Sequence, residues 1–373
     1  MPPAQYFELL VEEIRQKHLA FPSSQRAGRL STVYFGGGTP SLVPAEYIVA
    51  LLEQLTSHGF VQDPQTEITI EINPATIDVR KMEQYLRAGV NRFSVGAQTF
   101  NDPLLKSVHR EHSSNQTRET LRLIKSFNAN YSIDLLFALP GQTPDLLERD
   151  LLEILELDPP HVSPYCLTVP EGHVLSRIRP DEDIQLQMFE QIRTSLISAG
   201  LDRYEISNFA KPGFESKHNS LYWDDEDYWG IGLSAHSYSR QSRDSKTWGL
   251  RYWNANAIGA YEHQINANRR RQFTTPEGNL PSAQFEHLEQ HQSLTDFCHT
   301  SLRRKRGLLE HDLEQKFGRQ ILRILKGPLA HLVEQGLLAS SLTANSWSLT
   351  EQGLLLSNQV FGALTFLAGE LPL

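Results

Sequence analysis

Cysteine is scarce in this sequence of 373 residues, which contains only Cys166 and Cys298. Two thiols cannot build a disulfide framework, so the sequence is not that of a disulfide-stabilised secreted domain, and a reducing cytoplasm is the location to expect. Long apolar runs are also missing, because none reaches the roughly 20 residues of a membrane-spanning helix. The first residues, Met1–Gln5, do not form a secretory signal.

Basic residues are outnumbered by acidic ones: 35 Lys and Arg stand against 44 Asp and Glu, for a net charge of −9. They cluster only at Arg269–Arg271 and Arg303–Arg306, so nucleic acid is not the first partner to expect. The remaining composition, with 39% hydrophobic residues, is that of a globular protein. The length fits an α/β barrel with an appendage.

Short β-type runs alternate with helical patterns over the first half of the chain, after an amphipathic helix that carries Phe7, Leu10, Ile14 and His18 on one face. The predicted strands are Ser31–Phe35, Glu67–Ile72, Arg92–Val95, Ser132–Phe137 and His161–Leu167. The predicted helices between them are Pro44–Thr56, Val79–Ala88, Ser114–Ser126 and Pro144–Leu155. This alternation predicts parallel βαβ units, whose ligand-binding residues lie at the carboxyl ends of the strands.

The alternation weakens after about Asp181. The predictions there are a helix at Gln185–Ser198, an extended segment at Tyr204–Ile206 and a long polar surface excursion over Arg240–Ser282. In the tail, Asp312–Phe317, Ile321–Val333 and Ser346–Leu349 are predicted to form two helices and a β-wing. Few charges occur on the second of these helices, which favours a structural cap over a reader of nucleic acid. We therefore predict three domains: a barrel core over 1–180, a barrel extension over 181–282 and a winged-helix-like domain over 283–373.

Three glycines follow the first predicted strand directly, in Gly36-Gly37-Gly38-Thr39-Pro40. Glycines let the backbone approach a ligand closely and leave N–H groups free to donate. The segment matches neither a Walker loop nor the dinucleotide-binding pattern. A ligand cradle and a simple tight turn are equally compatible with these residues alone.

Isolated polar residues interrupt the later apolar strands near their carboxyl ends. They are Glu71, Ser94, Gln98 and Asp134, with Arg110 and His112 in the segment that follows Gln98. A carboxylate buried without a partner costs several kcal/mol, so these positions favour a polar ligand or a cation. The alternative is a surface-facing position in ordinary alternation.

Taken together, these motifs resemble the radical S-adenosylmethionine (SAM) superfamily, in the branch that holds oxygen-independent coproporphyrinogen dehydrogenase and the HemW-type haem chaperones. The matching segments are Tyr34–Pro40, Glu71–Pro74, Gly96–Gln98, Arg110-x-His112, Ile133–Leu135, Leu139–Gly141, Tyr165 and Leu167–Thr168. The resemblance implies a partial parallel (β/α)6 barrel whose first strand is missing, followed by a C-terminal winged-helix-like α+β domain. It also implies contacts to SAM from Gly37, Gly38, Thr39, Glu71, Gln98, Arg110 and Asp134.

Within that branch, the segment His218-Asn219-x-x-Tyr222-Trp223 is similar to the chaperones rather than to the dehydrogenases. The resemblance implies that His218, Asn219, Tyr222 and Trp223 contact haem. A histidine beside two aromatic residues suits an axial imidazole on haem iron with rings stacked on the porphyrin. The alternative is a core histidine that is satisfied by the backbone.

The Cys-x-x-x-Cys-x-x-Cys motif, which holds the [4Fe–4S] cluster of that superfamily, does not occur in these 373 residues. We expect either that in-frame sequence upstream of Met1 encodes it or that the chain is a paralogue without the cluster. The polypeptide as given is not expected to cleave SAM.

Three functions follow. The first is a haem chaperone that delivers haem to apo-haemoproteins; the second is oxidative decarboxylation of coproporphyrinogen in porphyrin biosynthesis. The third is a SAM- or nucleotide-binding regulator whose tail meets a protein or nucleic acid.

Overall fold

A computed structural model describes residues 3–20, 28–170, 172, 175, 178–240, 248–269, 284–341 and 343–370. The chain divides into two compact units. The sheet unit comprises Ser31–Ala50 and Pro64–His218, and the second unit comprises Met1–Leu30, Leu51–Asp63 and Asn219–Leu373. Among the described residues, no helix is long and apolar enough to cross a membrane.

The sheet unit is built on one seven-stranded sheet. Its strands are β1 (Thr32–Phe35), β2 (Glu67–Ile72), β3 (Arg92–Gln98), β4 (Asn130–Phe137), β5 (His161–Cys166), β6 (Asp202–Glu205) and β7 (Asn208–Ala210). They run in the spatial order β1-β2-β3-β4-β5-β7-β6. Strands β1 to β5 pair in parallel, and β7 is antiparallel to both β5 and β6.

Helices connect the parallel strands, as the alternation predicts. They are α2 (Ala45–Ser57), α3 (Val79–Arg87), α4 (Asp102–Ser107), α5 (Ser114–Ser126) and α6 (Pro144–Leu157), with α7 (Glu182–Ser198) after β5. Local signals fix where they begin: Asp78 accepts the backbone N–H of Lys81 at the start of α3, and Ser113 and Gln116 form a capping box on α5.

Side chains on the strands of this sheet alternate strictly between two faces. One face is apolar and buried, and includes Ile68, Ile70, Ile72, Phe93 and Ile133. Residues that pair across neighbouring parallel strands lie on the same face of the sheet. The residues that alternate with these apolar ones along each strand therefore form the opposite face, which is polar.

The second unit begins with α1 (Pro3–Ala20), which packs on α9 (Ile258–Asn268). A three-stranded antiparallel sheet joins β8 (His236–Ser239), β9 (Leu250–Trp253) and β10 (Phe285–His287). Between the units in sequence lies α8 (Lys217–Trp223), within which the boundary falls after His218.

The prediction of a polar surface excursion over Arg240–Ser282 is wrong for the described residues. They form β9 and α9, in which Tyr252 and Tyr261 are buried. Isolated aromatic residues spaced along a polar sequence do bury one face of an element, and we overlooked that signal. Residues 241–247 and 270–283 lie outside the described residues.

The tail has the element order of a winged helix: helix, strand, two helices and two strands. The elements are α10 (Gln290–Arg303), β11 (Leu308–Leu309), α11 (Glu310–Phe317), α12 (Arg319–Glu334), β12 (Leu338–Ser341) and β13 (Ser346–Leu349), followed by α13 (Glu351–Leu355) and α14 (Ser357–Ala363). Its strands pair in the order β11-β13-β12. A core of its own, which includes Leu294, Cys298, Leu313, Leu325 and Leu329, explains why this segment is so strongly patterned.

The named strands and helices of the sequence analysis are confirmed to within three residues at each end. Helix α8, which carries His218, was not predicted. Its seven residues are too few for a helical period to be recognised.

Candidate functional site

Polar side chains from all five parallel strands line one face of the sheet. They are Thr32 and Tyr34 on β1, Glu67, Thr69 and Glu71 on β2, Arg92 and Ser94 on β3, Ser132 and Asp134 on β4, and His161, Ser163 and Tyr165 on β5. We call this set the polar face. A face with this many hydrogen-bonding groups is not a hydrophobic core, and it is suited to a polar ligand.

Glu71 stands near the carboxyl end of β2, beside the glycine turn. Its Oε1 accepts the hydroxyl of Tyr34 at 2.9 Å, and its Oε2 accepts the backbone N–H of Gly37 at 3.2 Å. A Cβ on Gly36 would lie 2.6 Å from the Tyr34 ring and 2.8 Å from Glu71 Oε1. Glycine at position 36 is therefore what allows the tyrosine and the glutamate to meet.

The next two glycines of the turn are favoured by their backbone conformation. Gly37 and Gly38 have φ values of +77° and +63°, in the left-handed region that favours glycine. Thr39 precedes a short 3-10 turn at Pro40–Leu42, and its carbonyl oxygen accepts the N–H of Leu42 at 3.0 Å.

Asp134 lies two strands from Glu71 on the same face. The hydroxyl of Ser94 donates to its carboxylate, with distances of 3.1 and 3.2 Å to the two oxygens. Burial raises the pKa of Asp134 to about 7, and the negative charge of Glu71 adds to the shift, although the hydroxyls of Ser94 and Ser163 oppose it. This carboxyl group therefore titrates near neutral pH.

Gln98 ends β3 and is buried, with a φ of +65°. The turn after it is held by Asp150 on α6, which accepts the Thr99 hydroxyl and the Phe100 N–H, both at 2.7 Å. Arg110 lies beyond α4 with an exposed side chain, and within the described residues it makes no hydrogen bond or ion pair with the other predicted site residues. The structure thus gathers Gly37, Glu71, Gln98 and Asp134 at the strand ends and leaves Arg110 at the surface.

His218 belongs to the sheet unit and lies against β1. Its Nδ1 is hydrogen-bonded to Thr32 Oγ1 at 2.9 Å, and its ring is stacked on that of Tyr34, with centroids 4.7 Å apart and planes 18° apart. Its backbone N–H donates to Glu67 Oε1 at 2.9 Å. Burial lowers the pKa of His218 to about 4, so the imidazole is neutral at physiological pH.

The other three residues of the HNxxYW segment belong to the second unit. The Tyr222 ring meets the Tyr228 ring edge to face, with centroids 4.5 Å apart. The guanidinium of Arg303 lies over the Trp223 ring at 4.5 Å from its centroid, while the buried Nε1 of Trp223 has no hydrogen-bond partner among the described residues. The ring stacked on His218 is that of Tyr34, from outside the HNxxYW segment.

Sequence reasoning did not select several polar residues that the structure joins to this site. Thr32 and Glu67 hold His218, and His161 is buried between Ser132 Oγ at 2.8 Å and Tyr204 Oη at 2.9 Å. The missed signal was periodic: polar residues recur at alternate positions along the five predicted strands, with Leu136 and Leu167 as the exceptions.

The cysteines do not form a cluster site in this chain as given. Cys298 is fully buried in the core of the tail, and Cys166 lies beside Arg179, with its sulfur 3.5 Å from Nη2. Among the described residues there is no group of three His, Cys, Asp or Glu side chains that could hold a metal ion.

Comparison with known proteins agrees with the fold described above. A sequence profile of the radical SAM superfamily matches residues 3–154. The crystal structure of coproporphyrinogen III oxidase (HemN) from Escherichia coli, a radical SAM enzyme, superposes with a TM-score of 0.77, covering 97% of this chain and 83% of that one. The two are 21% identical, so this likeness shows the fold, a radical SAM-type barrel sheet with its C-terminal appendage.

Similarity in sequence is higher to another group of proteins. The haem chaperone HemW of Lactococcus lactis subsp. lactis (strain IL1403) is 33% identical, over 95% of this chain and 88% of its own length. HemW of Bacillus subtilis (strain 168) is 32% identical, over 90% of this chain and 85% of its own length. Identity at this level over nearly two whole chains shows common family membership: this chain belongs to the HemW family of haem chaperones, within the radical SAM superfamily.

Proposed function

We propose that this protein is a haem chaperone, which binds haem and passes it to apo-haemoproteins, on a scaffold that also binds SAM. Similarity to HemW proteins over nearly the whole chain carries the proposal. The proposal includes a cytoplasmic location, which the scarcity of cysteine supports.

The residues at the strand ends fit SAM by their chemistry. SAM presents an amino acid group, ribose hydroxyls and an adenine, and the site offers backbone groups at Gly37 and Gly38, a carboxylate at Glu71 and an amide at Gln98. The close contacts at Gly36 leave no room for a side chain at that position of the turn. Thr39, Arg110 and Asp134 complete the proposed set, with Arg110 free of the packing that holds the others.

His218 fits haem iron as an axial ligand. Haem supplies an iron that accepts a neutral imidazole nitrogen. The lowered pKa of His218 keeps the ring neutral, and the hydrogen bond from Nδ1 to Thr32 fixes its orientation, which is how proteins prepare a ligating histidine. Asn219, Tyr222 and Trp223 follow it in the proposed haem segment.

Oxidation of coproporphyrinogen has weaker support. The likeness to the E. coli oxidase is one of fold at 21% identity, whereas the chaperones share about a third of their residues with this chain.

The test is a haem titration of the full chain with His218→Ala. We expect wild type to shift the Soret band of haem, and His218→Ala to lose or greatly weaken that shift while its circular dichroism spectrum stays that of the folded protein. His331→Ala is the matched control, because it removes an exposed histidine from α12. Tyr222→Ala and Trp223→Ala should each weaken binding less, by about 1–3 kcal/mol, as is usual for a large aromatic contact.

Equal haem affinity in wild type and His218→Ala would move the ligand elsewhere, with His236 and Cys166 the next candidates. A thiolate ligand gives a different Soret band from an imidazole, so the spectrum itself would report a switch to Cys166. Failure of wild type to shift the haem spectrum would overturn the proposed function.

A further inference from the structure

We propose that Tyr34 couples the two ligand sites of the sheet unit, so that occupation of the SAM site at Glu71 changes the affinity of His218 for haem. This inference rests on the proposed function and adds a regulatory link within it. The observation that carries it is that one side chain contacts the key residue of each site.

Tyr34 uses different parts of its side chain for the two contacts. Its hydroxyl donates to Glu71 Oε1 at 2.9 Å, while its ring face is stacked on the imidazole of His218 at a centroid distance of 4.7 Å. The phenol oxygen is fixed rigidly to the ring, so a ligand that displaces this oxygen from Glu71 displaces the ring with it. The ring is the surface on which His218 rests.

The surroundings make this link specific. On one side, Gly36 leaves the space in which Tyr34 and Glu71 meet, because a Cβ there would lie 2.6 and 2.8 Å from them. On the other side, His218 is held at two points besides the stack: Nδ1 by Thr32 and the backbone N–H by Glu67. A displacement of Tyr34 therefore changes the environment of a histidine whose backbone stays in place.

A ligand that binds Glu71 competes with Tyr34 for the same carboxylate. Burial and the nearby charge of Glu71 raise the pKa of Tyr34, so the hydroxyl remains a neutral donor that needs an acceptor. When the ligand displaces the phenol oxygen from Oε1, the ring moves with that oxygen, and the stack on His218 changes with it. Linkage requires the reverse effect as well: haem at His218 changes the affinity for SAM by the same factor.

The first arm of the test is a double-mutant cycle on haem affinity, which needs no bound SAM. Haemin is titrated into the full-length wild type, Glu71→Ala, Tyr34→Phe and the double variant, with the Soret band as readout. Glu71→Ala removes the acceptor of the Tyr34 hydroxyl at a position that does not touch haem. We expect it to change the haem dissociation constant about 5-fold or more in the wild-type background, the lower end of typical coupling factors. In the Tyr34→Phe background, which has no hydroxyl to release, the same substitution should have less than about a 2-fold effect, as for non-coupled sites.

The second arm measures linkage directly. Haemin titrations with and without saturating SAM should differ by the coupling factor in wild type, and that difference should disappear in Tyr34→Phe. Gly36→Ala, which retains both Tyr34 and Glu71 but forces them apart, should behave like Tyr34→Phe. The control is Tyr131→Phe, which removes a hydroxyl that donates to Leu157 O at 3.0 Å, and it should behave like wild type.

The outcomes separate this inference from the proposed function. If Glu71→Ala leaves the haem dissociation constant unchanged in the wild-type background, the coupling is overturned and the chaperone proposal stands. Dependence on Glu71 that is unchanged in Tyr34→Phe shows a route that bypasses the tyrosine and also overturns it. Absence of haem binding to wild type overturns both.

Discussion

Glu71 in the sheet unit and Glu13 in the second unit have similar neighbours but differ in how many hydrogen-bonding and charged partners their carboxylates have. Each accepts a tyrosine hydroxyl and the backbone N–H of a glycine: Tyr34 and Gly37 for Glu71, and Tyr261 at 2.6 Å and Gly232 at 2.8 Å for Glu13. Glu13 additionally accepts Asn254 Nδ2 at 2.7 Å and has Lys17 Nζ 3.4 Å from its Oε1. Glu71 has no such cation within the described residues and is only partly buried.

This difference is the one we expect between a structural carboxylate and a carboxylate that binds a ligand, as we propose for Glu71. With amide, hydroxyl and ammonium partners in place, Glu13 is 2% exposed, and it joins α1 to the loop before β8. Glu71 keeps lone pairs and charge that its two neutral donors do not compensate. A tyrosine and a glycine beside a carboxylate therefore do not by themselves indicate a ligand site. The feature that distinguishes the two carboxylates is whether a counter-charge is present.

The largest expected effect is on Glu13. Glu13→Ala should lower the free energy of unfolding by about 3–5 kcal/mol, because it leaves the largely buried ammonium of Lys17 without its counter-charge. Urea unfolding followed by circular dichroism measures this. Glu8→Ala, an exposed position on the same helix, is the control and should change stability by less than about 0.5 kcal/mol. A loss for Glu13→Ala as small as that of the control would break the comparison.

The pairing of Glu13 with Lys17 can be isolated by a double-mutant cycle. Glu13→Gln and Lys17→Met should each destabilise, and the double variant should cost less than the two combined, with a coupling of about 0.5–3 kcal/mol. The physical reason is that burial lowers the pKa of Lys17 and only the carboxylate offsets it. Strictly additive losses would mean that the hydrogen bonds, and not the charges, hold this region together.

The third prediction concerns the pH dependence of stability that Asp134, in the sheet unit, produces. Because its folded-state pKa, about 7, lies above the ordinary value of about 3.9, the native state binds the proton more tightly. Stability from this group is therefore fully present below about pH 4 and is lost as pH rises through 7. Asp134→Asn should remove that loss. In urea unfolding at both pH values, its free energy of unfolding relative to wild type should be higher at pH 8 than at pH 4.5 by more than about 1 kcal/mol.

Asp150, whose pKa burial raises to about 6, contributes in the same direction in both proteins and cancels in this difference. A wild-type minus Asp134→Asn difference that is flat between pH 4.5 and 8 would show that Asp134 is ionised throughout.

The smallest expected effect on stability is that of Glu71→Ala. It removes two hydrogen bonds from a partly exposed carboxylate, so the free energy of unfolding should fall by no more than about 1 kcal/mol. Equilibrium dialysis against SAM should at the same time show weakened binding. A destabilisation equal to that of Glu13→Ala would mark Glu71 as structural.

The sequence predicted the sheet unit well because its elements are set by short-range patterns. Strands such as Glu67–Ile72 combine period-two alternation with β-branched residues, and helices such as Ser114–Ser126 begin at a capping box, so neither needs distant contacts to be recognised. Glu71, Gln98 and Asp134 were selected for the same reason, since each is a polar interruption at the end of an apolar strand.

The remainder depends on contacts between residues far apart in sequence. Nothing near His218 indicates that its neighbours are Thr32 and Tyr34, which precede it by more than 180 residues. Likewise, β9 and α9 are defined by Tyr252 and Tyr261 burying against distant partners, with few apolar residues of their own. Ligand binding by each of the predicted site residues stays a prediction.

The discontinuity of the second unit has a consequence for synthesis. The partner of Glu13, Tyr261, emerges 248 residues later, which at about 5–20 residues per second corresponds to roughly 10–50 seconds of translation. Throughout that interval α1 exposes Leu9 and Ile14, which are buried in the finished protein. A nascent chain of this protein should therefore remain a client of ribosome-associated chaperones until α9 has left the exit tunnel.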